Sequence, residues 1–173
     1  MAIWFLKKTI LYGFLKQPYL WYKYTMARKD FSKVDCSVAR CLDAVGDIWA
    51  FLIVRDAMFG ITRYSDFQRS LGIAKNILRD RLEALVEQEI LRKVDAGEHG
   101  PRFEYKLTEK GRDLFPVMVA LRQWSDKWVE PEARNILIMT DRAKQQPLPY
   151  MRVLDGEGNP LTLHDIRAEL PEP

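Results

Sequence analysis

The sequence is poor in cysteine and histidine, the residue types on which disulfide scaffolds and zinc sites depend. Its 173 residues include two cysteines, Cys36 and Cys41, and two histidines, His99 and His164. The cysteines stand five apart in one predicted helix, where the geometry for a disulfide is poor. No Cys-x-x-Cys or His-x-x-x-His pattern accompanies the histidines. We therefore expect no disulfide framework and no metal site, and two free thiols favour a cytoplasmic protein.

Long apolar runs and catalytic motifs are also missing. In residues 1–25 lysines interrupt the apolar runs, which are too short to span a bilayer and do not form an export signal. The sequence has no glycine-rich loop of the kind that binds phosphate. It also has no motif in which a nucleophile, a base and an orienting group occur together. These absences predict no membrane span, no cofactor and no enzymatic activity. The net charge of +3 permits a polyanionic partner without requiring one.

The length and the 47% hydrophobic content fit one domain with tails. We predict an aromatic and basic extension over 1–25, a main domain over 26–130 and a tail over 131–173. The tail should contain a further stretch of helix, a linker and a β-hairpin at its Asp-Gly and Gly-Asn-Pro turn signals. Two interpretations of 1–25 remain open: a helix that binds a surface or partner, or a poorly ordered upstream extension that is not always translated. The conventional-looking start at Met26 favours the second.

Two helices are predicted between Cys36 and Gly60. The stretch "CSVARCLDAVGD" has apolar residues at helical spacing, and "IWAFLIVRDAMFG" is almost entirely apolar. We expect both to be core helices, the second being the buried central helix and ending at Gly60.

A helix-turn-helix pattern follows. Ser65 and Gln68 have the spacing of a capping box, which predicts a short helix from Ser65 to about Gly72. The next stretch, "GIAKNILRDRLEALVEQEIL", predicts an amphipathic helix with two distinct faces. One face is apolar (Ile77, Leu78, Leu82, Leu85, Val86), and the other is polar (Lys75, Asn76, Arg79, Asp80, Glu83). In such a unit the start of the second helix reaches a DNA groove.

A hairpin and another helix complete the pattern. "ILRKVDAGEHGPRFEYKLT" reads as two strands around a glycine-containing loop. "LTEKGRDLFPVMVALRQWSDKW" reads as one helix capped by Thr108, with an apolar stripe that should meet a partner. The predicted fold class is mainly α with a small β-hairpin wing, that is, a winged helix-turn-helix that is dimeric through terminal helices.

Residues 36–128 resemble the HxlR family of bacterial winged-helix transcription regulators. The resemblance rests on a combination of motifs: the Cys-x-Val start, the Trp that opens the second helix, "RYSDF", "GIAKNILRDRL" and "EYKLTEKG". It implies a homodimer on a pseudo-palindromic operator, a recognition helix that begins near Ala74, and a DNA-contacting wing loop from Gly97 to Arg102. Many members have a serine cap where this chain has Ala74, so the start of the recognition helix is expected to be less tightly fixed.

Candidate DNA-contacting residues follow from these placements. They are Arg63, Tyr64, Ser65, Lys75, Asn76, Arg79, Arg81, His99 and Arg102. The alternatives are a solvated helix face for the recognition helix, a cap for Ser65, a core position for Tyr64 and an exposed loop position for His99. Acidic residues further along the helix (Glu83, Glu87, Glu89) are expected to discourage incorrect docking. The predicted dimer interface is Val117, Met118, Leu121, Trp124 and Trp128, together with the segment before Cys36.

Cys36 begins a helix, where the helix dipole can lower a thiol pKa. Some HxlR-like regulators sense electrophiles or oxidants through a cysteine at the corresponding position, so the resemblance implies a sensor role for Cys36. The alternative, equally weighted, is a buried structural thiol, and we expect Cys41 to be packed. The predicted function is a sequence-specific DNA-binding regulator with double-stranded DNA, a second copy and a small-molecule or electrophile effector as partners. The alternative is a winged-helix module that binds protein without specific DNA binding.

Overall fold

The computed structural model describes residues 35–97, 103–129 and 138–167. The described helices, in chain order, are α1 (Ser37–Val45), α2 (Ile48–Met58), α3 (Tyr64–Leu71), α4 (Lys75–Glu87), α5 (Glu109–Arg112) and α6 (Phe115–Trp128). Strands β1 (Leu91–Asp95) and β2 (Phe103–Leu107) lie between α4 and α5, and a 3-10 turn covers Leu163–Asp165. The predicted mainly helical fold with one hairpin is confirmed. The predicted extension over 1–25 lies outside the described residues.

The chain forms two compact units that divide after Ile48. In the first unit, α1 follows Cys36 as its N-cap and ends at Gly46. Val45 is buried, but Val38 and Leu42 are exposed. The prediction of a core helix is therefore wrong for most of its apolar positions, because helical spacing identifies an apolar face without saying what covers it.

The second unit contains the hydrophobic core. Its largest fully buried side chains are Phe67, Ile53, Leu78, Leu82, Leu85, Ile90, Leu91 and Val54. They come from α2, α3, α4, the first residue of β1 and the residue before it, so the helix-turn-helix and the wing both contribute to the core. Burying one such side chain stabilises the fold by about 1.5–3 kcal/mol. The core thus fixes the helix-turn-helix and the wing as one structure.

Helix α2 is the central helix that the sequence predicted. Ile53 and Val54 are fully buried, and the helix is followed by a turn in which Gly60 has φ 93°. Its buried carboxylate, Asp56, accepts two hydrogen bonds from the Arg55 guanidinium, at 2.9 and 2.7 Å. The positive charge of Arg55 therefore offsets the cost of burying the Asp56 carboxylate in the core.

The first helix of the helix-turn-helix begins earlier than predicted and has no capping box. Its N-cap is Arg63, which makes no side-chain capping bond, and Ser65 lies inside the helix. The cause is a long-range contact: Arg63 pairs with Glu104 of β2 as an isolated bridge, which holds Arg63 extended. Gly72 ends α3 in the left-handed conformation, φ 61°, as its position predicted.

Strands β1 and β2 form the predicted antiparallel hairpin, with Leu91 opposite Leu107 and Lys93 opposite Tyr105. The hairpin is joined to the start of α3 because the Tyr105 amide donates to the Thr62 carbonyl at 2.8 Å. The wing is therefore attached at its base to the helix-turn-helix.

The segment after the wing is two helices, where the sequence predicted one. Thr108 caps α5 as expected, accepting a hydrogen bond from the Gly111 amide at 3.0 Å. A β-carbon at residue 111 would overlap the Ile90 carbonyl oxygen, so glycine permits this close packing. The chain then turns at Leu114 and α6 begins, with Pro116 in its first turn, a position where proline's missing N–H costs nothing.

The described part of the C-terminal tail, 138–167, consists of turns. Thr140 and Pro147 form an isolated bridge around a turn, so the predicted helical extension is wrong over these residues. The predicted hairpin is present as one bridge, between Leu154 and Pro160. The amide of Gln123 on α6 anchors the tail: it donates to the Pro149 carbonyl at 2.9 Å and accepts from the Met151 amide at 2.8 Å.

Candidate nucleic-acid interface

Helix α4 has the two faces that its sequence predicted. Leu78, Leu82 and Leu85 are fully buried. Lys75, Asn76, Arg79, Asp80 and Glu83 are all exposed. The helix is therefore held to the core along one side, and its other side offers cations and an amide to solvent. Arginine, lysine and asparagine are the side chains that bind guanine, phosphate and adenine in the major groove.

The start of α4 carries no side-chain cap, because Ala74 has no acceptor. Its first turn contains no acidic residue. The positive charge of Lys75 and the partial positive charge of the helix N-terminus therefore both attract an anion at this end of the helix. Tyr64 fixes this end of the helix: its hydroxyl donates to the Lys75 carbonyl at 2.7 Å. The hydrogen bond from Tyr64 thus connects α3 to the first residue of α4, whose N-terminus has no side-chain cap. Tyr64 therefore acts as a positioning residue.

Arg79 is paired with its neighbour on the exposed face. Its Nε and Nη2 atoms donate to one Asp80 carboxylate oxygen at 3.2 and 3.0 Å. This hydrogen bond and the negative charges of Asp80 and Glu83 raise the pKa of Arg79. Such an exposed pair contributes at most about 1 kcal/mol, so a phosphate or base can compete for the guanidinium.

Arg81 is set apart from the other predicted contacts. Its side chain is half-buried, and its position on the helix lies on the side of Leu78 and Leu85 rather than that of Lys75 and Arg79. The structure thus brings Lys75, Asn76 and Arg79 to one face and does not bring Arg81 to it.

The start of α3 adds a second polar group beside the wing. Ser65 is exposed, and the Arg63 Nε lies 3.6 Å from the Glu104 carboxylate. Glu104 also pairs with Lys106 at 3.0 Å. The hydrogen bond from Lys106, together with the charges of Lys106 and Arg63, lowers the pKa of Glu104.

The base of the wing lies against both helices of the motif. Burial raises the pKa of Tyr105 on β2, and the nearby Glu83 and Tyr64 raise it further. On the same hairpin, the Lys93 ammonium lies 3.9 Å from the centre of the Phe103 ring. The predicted wing contacts His99 and Arg102 lie outside the described residues.

Helix α6 exposes the predicted apolar stripe. Leu121, Trp124 and Trp128 have exposed fractions of 50%, 61% and 63%, and Val117 is also exposed. Met118 is half-buried and points toward a cleft beside the stripe, while Val119 is buried. Four of the five predicted interface residues are thus solvent-accessible in one copy of the chain.

Both cysteines are exposed. The prediction that Cys41 is packed is wrong, and so is the buried alternative for Cys36. Cys36 is the N-cap of α1, and the nearby Arg40 guanidinium donates to the Ser37 hydroxyl at 3.3 Å.

Sequence patterns did not reveal the roles of Tyr64 and Asp80. Tyr64 was a candidate DNA contact, and Asp80 was assigned only to the polar face; each has a partner that a one-dimensional pattern does not show. Among the described residues, no cluster of histidine, cysteine and acidic side chains could hold a metal ion. None of the helices in the described ranges is both long and apolar enough to cross a membrane.

A core-anchored helix with an exposed polar face, preceded by a short helix and followed by an attached hairpin, defines a winged helix-turn-helix protein. The family model for the HxlR-like helix-turn-helix matches residues 44–133, and the chain belongs to this family. It is 44% identical over 134 residues to an uncharacterized HTH-type transcriptional regulator of Mycobacterium tuberculosis, covering 77% of this chain and 84% of the relative.

Two solved structures extend this comparison. The crystal structure of PA1607, which carries the name "a Putative Transcription Factor", matches at 45% identity with a TM-score of 0.75, covering 80% of this chain and 96% of that one. The redox regulator HypR in its reduced form is 26% identical with a TM-score of 0.51, covering 57% of this chain and all (100%) of that one. The chain is therefore a transcription regulator of the helix-turn-helix type, and it is not an enzyme.

Proposed function

We propose that this regulator binds a specific, pseudo-palindromic DNA operator as a homodimer. The observation that carries the proposal is the exposed face of α4, where Lys75, Asn76 and Arg79 stand together at the front of a helix whose opposite side is buried. Side chains at the start of the second helix are those that reach base edges in helix-turn-helix proteins. In this assignment Lys75 and Arg79 bind phosphate or guanine, and Asn76 reads a base.

Other residues support this contact. Arg63 and Ser65 bind backbone phosphates at the start of α3, and His99 and Arg102 in the wing loop bind the adjacent backbone or minor groove. Arg81 is a weaker candidate, because it is half-buried. Tyr64 contributes indirectly by holding the Lys75 carbonyl.

The dimer is proposed from the apolar stripe of α6. One winged helix contacts too few base pairs for high specificity, and a two-fold axis doubles the site. Val117, Leu121, Trp124 and Trp128 leave apolar side chains in water that a second copy would cover. Met118 and the segment before Cys36 complete the proposed interface.

The test is selection of bound sequences from a random duplex library, followed by mobility shifts on the winning sequence. We expect an inverted repeat with half-sites about one helical turn apart and a steep loss of affinity with salt. A winged-helix module that binds protein alone would recover no motif and show a shallow salt dependence, and this result would refute the proposal.

We further propose that Cys36 makes the regulator responsive to electrophiles or oxidants. Its thiol is exposed at the N-cap of α1, and the chain is similar to a redox regulator. Modification there would reposition the terminal segment and lower operator affinity. The test is mass-spectrometric mapping of adducts after treatment with a quinone, with DNA binding repeated for Cys36→Ser and Cys41→Ser. DNA release that persists in Cys36→Ser, or equal labelling of both thiols, would contradict the sensor role.

A further inference from the structure

A cleft of about 870 Å³ lies within the second unit, on the side of α6 that carries Met118. The end of α2, the end of β2, α5, α6 and the C-terminal tail all contribute to it. Its apolar lining is Met58, Phe59, Leu107, Phe115, Met118 and Met139. Small-molecule sites in proteins have volumes of about 300–1,000 Å³ and are lined mainly by apolar and aromatic side chains, so this cleft has the size and lining of a ligand site.

The polar part of the lining contains more cations than anions. Three arginines and one carboxylate face the cleft: Arg55, Arg112, Arg122 and Asp126. Arg55 is paired with the buried Asp56 at 2.7 Å, and Arg122 with Asp126 at 3.2 Å.

Arg112 differs from the other two arginines. Its Nη1 donates to the neutral Leu107 carbonyl at 3.0 Å, and this is the partner that the structure gives it. One positive charge in the lining is therefore not balanced by a carboxylate of the described lining residues. A ligand with one negative charge would complement it.

We propose that this cleft binds an organic anion with an aromatic body and a single carboxylate. The carboxylate matches the planar guanidinium of Arg112, which can donate two parallel hydrogen bonds. The aromatic body fits between Phe59, Phe115 and the three methionines, whose flexible thioethers pack well against rings. Met139 comes from the tail, beyond the 44–133 range of the family model, so the family's common domain does not by itself supply the whole lining.

The position of the cleft suggests what occupancy would do. Its wall runs from Leu107, the last residue of the wing strand, to Met118 on the helix with the apolar stripe. A ligand would contact both, so binding should alter the position of the wing relative to the dimer and thereby operator affinity. This consequence rests on the proposed function, whereas binding itself does not.

The methionines supply a direct test on the full chain. We would label their methyl groups with ¹³C and titrate with 1-naphthoate and with its neutral isostere, 1-naphthamide. Met58, Met118 and Met139 line the cleft, whereas Met151 is exposed outside it and serves as an internal control. The expected result is saturable shifts of the first three resonances only, with naphthoate about tenfold tighter than naphthamide, as for a charge-assisted hydrogen bond.

Matched variants then assign the charge. Arg112→Gln should lower the affinity for naphthoate about tenfold and leave the affinity for naphthamide unchanged. Lys110→Gln removes a cation that lies on the same short helix but does not line the cleft, and it should leave the affinities for both probes unchanged. Absence of shifts, equal affinity for the two probes, or shifts that include Met151 would overturn the proposal.

A mobility-shift titration in naphthoate tests the regulatory consequence separately. A changed operator affinity that is lost in Arg112→Gln would support it, and an unchanged affinity under saturating naphthoate would refute the coupling while the binding site stands. A chain that binds no DNA at all would refute the proposed function without affecting the methyl titration.

Discussion

Helices α4 and α6 both expose a full face, but the two faces have opposite chemistry. The exposed face of α4 carries Lys75, Asn76 and Arg79, which water solvates well, whereas that of α6 carries Leu121 and Trp124, which it does not. A charged face is stable in water while no partner is bound. An apolar face of this size favours a permanent partner, because leaving it exposed invites aggregation. The comparison supports the proposed division of roles, in which α4 binds DNA reversibly and α6 pairs stably with a second copy.

The largest expected effect comes from placing charge on the apolar face. Leu121→Asp would bury an unpaired carboxylate in the proposed dimer interface, so we expect monomers and a loss of operator affinity of at least about 100-fold. Sedimentation velocity and mobility shifts measure the two effects. Leu163→Asp, at an 86% exposed residue of the tail, is the control and should remain dimeric. A dimeric Leu121→Asp protein would remove α6 from the interface.

On the charged face, Lys75→Ala and Arg79→Ala should each weaken operator binding by about 1–3 kcal/mol without changing oligomeric state. A phosphate contact would lower affinity uniformly across sequences, whereas a base contact would relax specificity at one position. Arg152→Ala removes an exposed cation from the tail and controls for net charge. Equal losses in all three variants would indicate unspecific attraction rather than a recognition face.

A smaller effect of opposite sign is expected at Asp80. Asp80→Asn removes a negative charge from the proposed DNA face and frees Arg79 from its pair. Operator and nonspecific affinity should both rise by several-fold at low salt, and the gain should shrink as salt increases. Fluorescence anisotropy at two salt concentrations measures it. Unchanged affinity would place residue 80 away from the DNA backbone.

The smallest effect concerns the wing base, through Glu104. Because folding lowers its pKa from the ordinary value of 4.5, its ionised form stabilises the fold above about that pH, and this contribution disappears as pH falls through the lowered pKa. The Tm of the wild type should therefore exceed that of Glu104→Gln at pH 6, and the difference should vanish under more acidic conditions. A difference that is independent of pH would mean that packing, not charge, explains it.

Local patterns predicted α4 well, because its hydrophobic period, its polar face and the glycine before it all agree. They failed where a distant residue decides the local structure. Helix α3 begins after Arg63, because Arg63 is held extended by its bridge to Glu104, some forty positions away. The break before α6 has a local signal that the helical period overlooked, because Pro116 lies in the first turn of α6 and cannot donate a hydrogen bond to the turn before it.

Candidate site residues show the same division. Spacing placed Lys75 and Arg79 on the exposed face, but the charge of Arg81 suggested a solvent position that its angle on the helix does not support. The cleft was not predicted, because its lining is collected from five separate segments, among them the tail around Met139. Such sites appear only when the chain is folded.

The two hydrogen bonds of Gln123 hold the tail without help from the buried core. One side chain on the outer surface of α6 supplies both a donor and an acceptor to the tail, as a neighbouring strand would, and the buried core is not altered by it. Gln123 thus ties the tail, and with it the wall of the cleft that includes Met139, to α6 through two hydrogen bonds. Gln123→Ala would remove both bonds and leave the buried side chains of α2 and α4 in place.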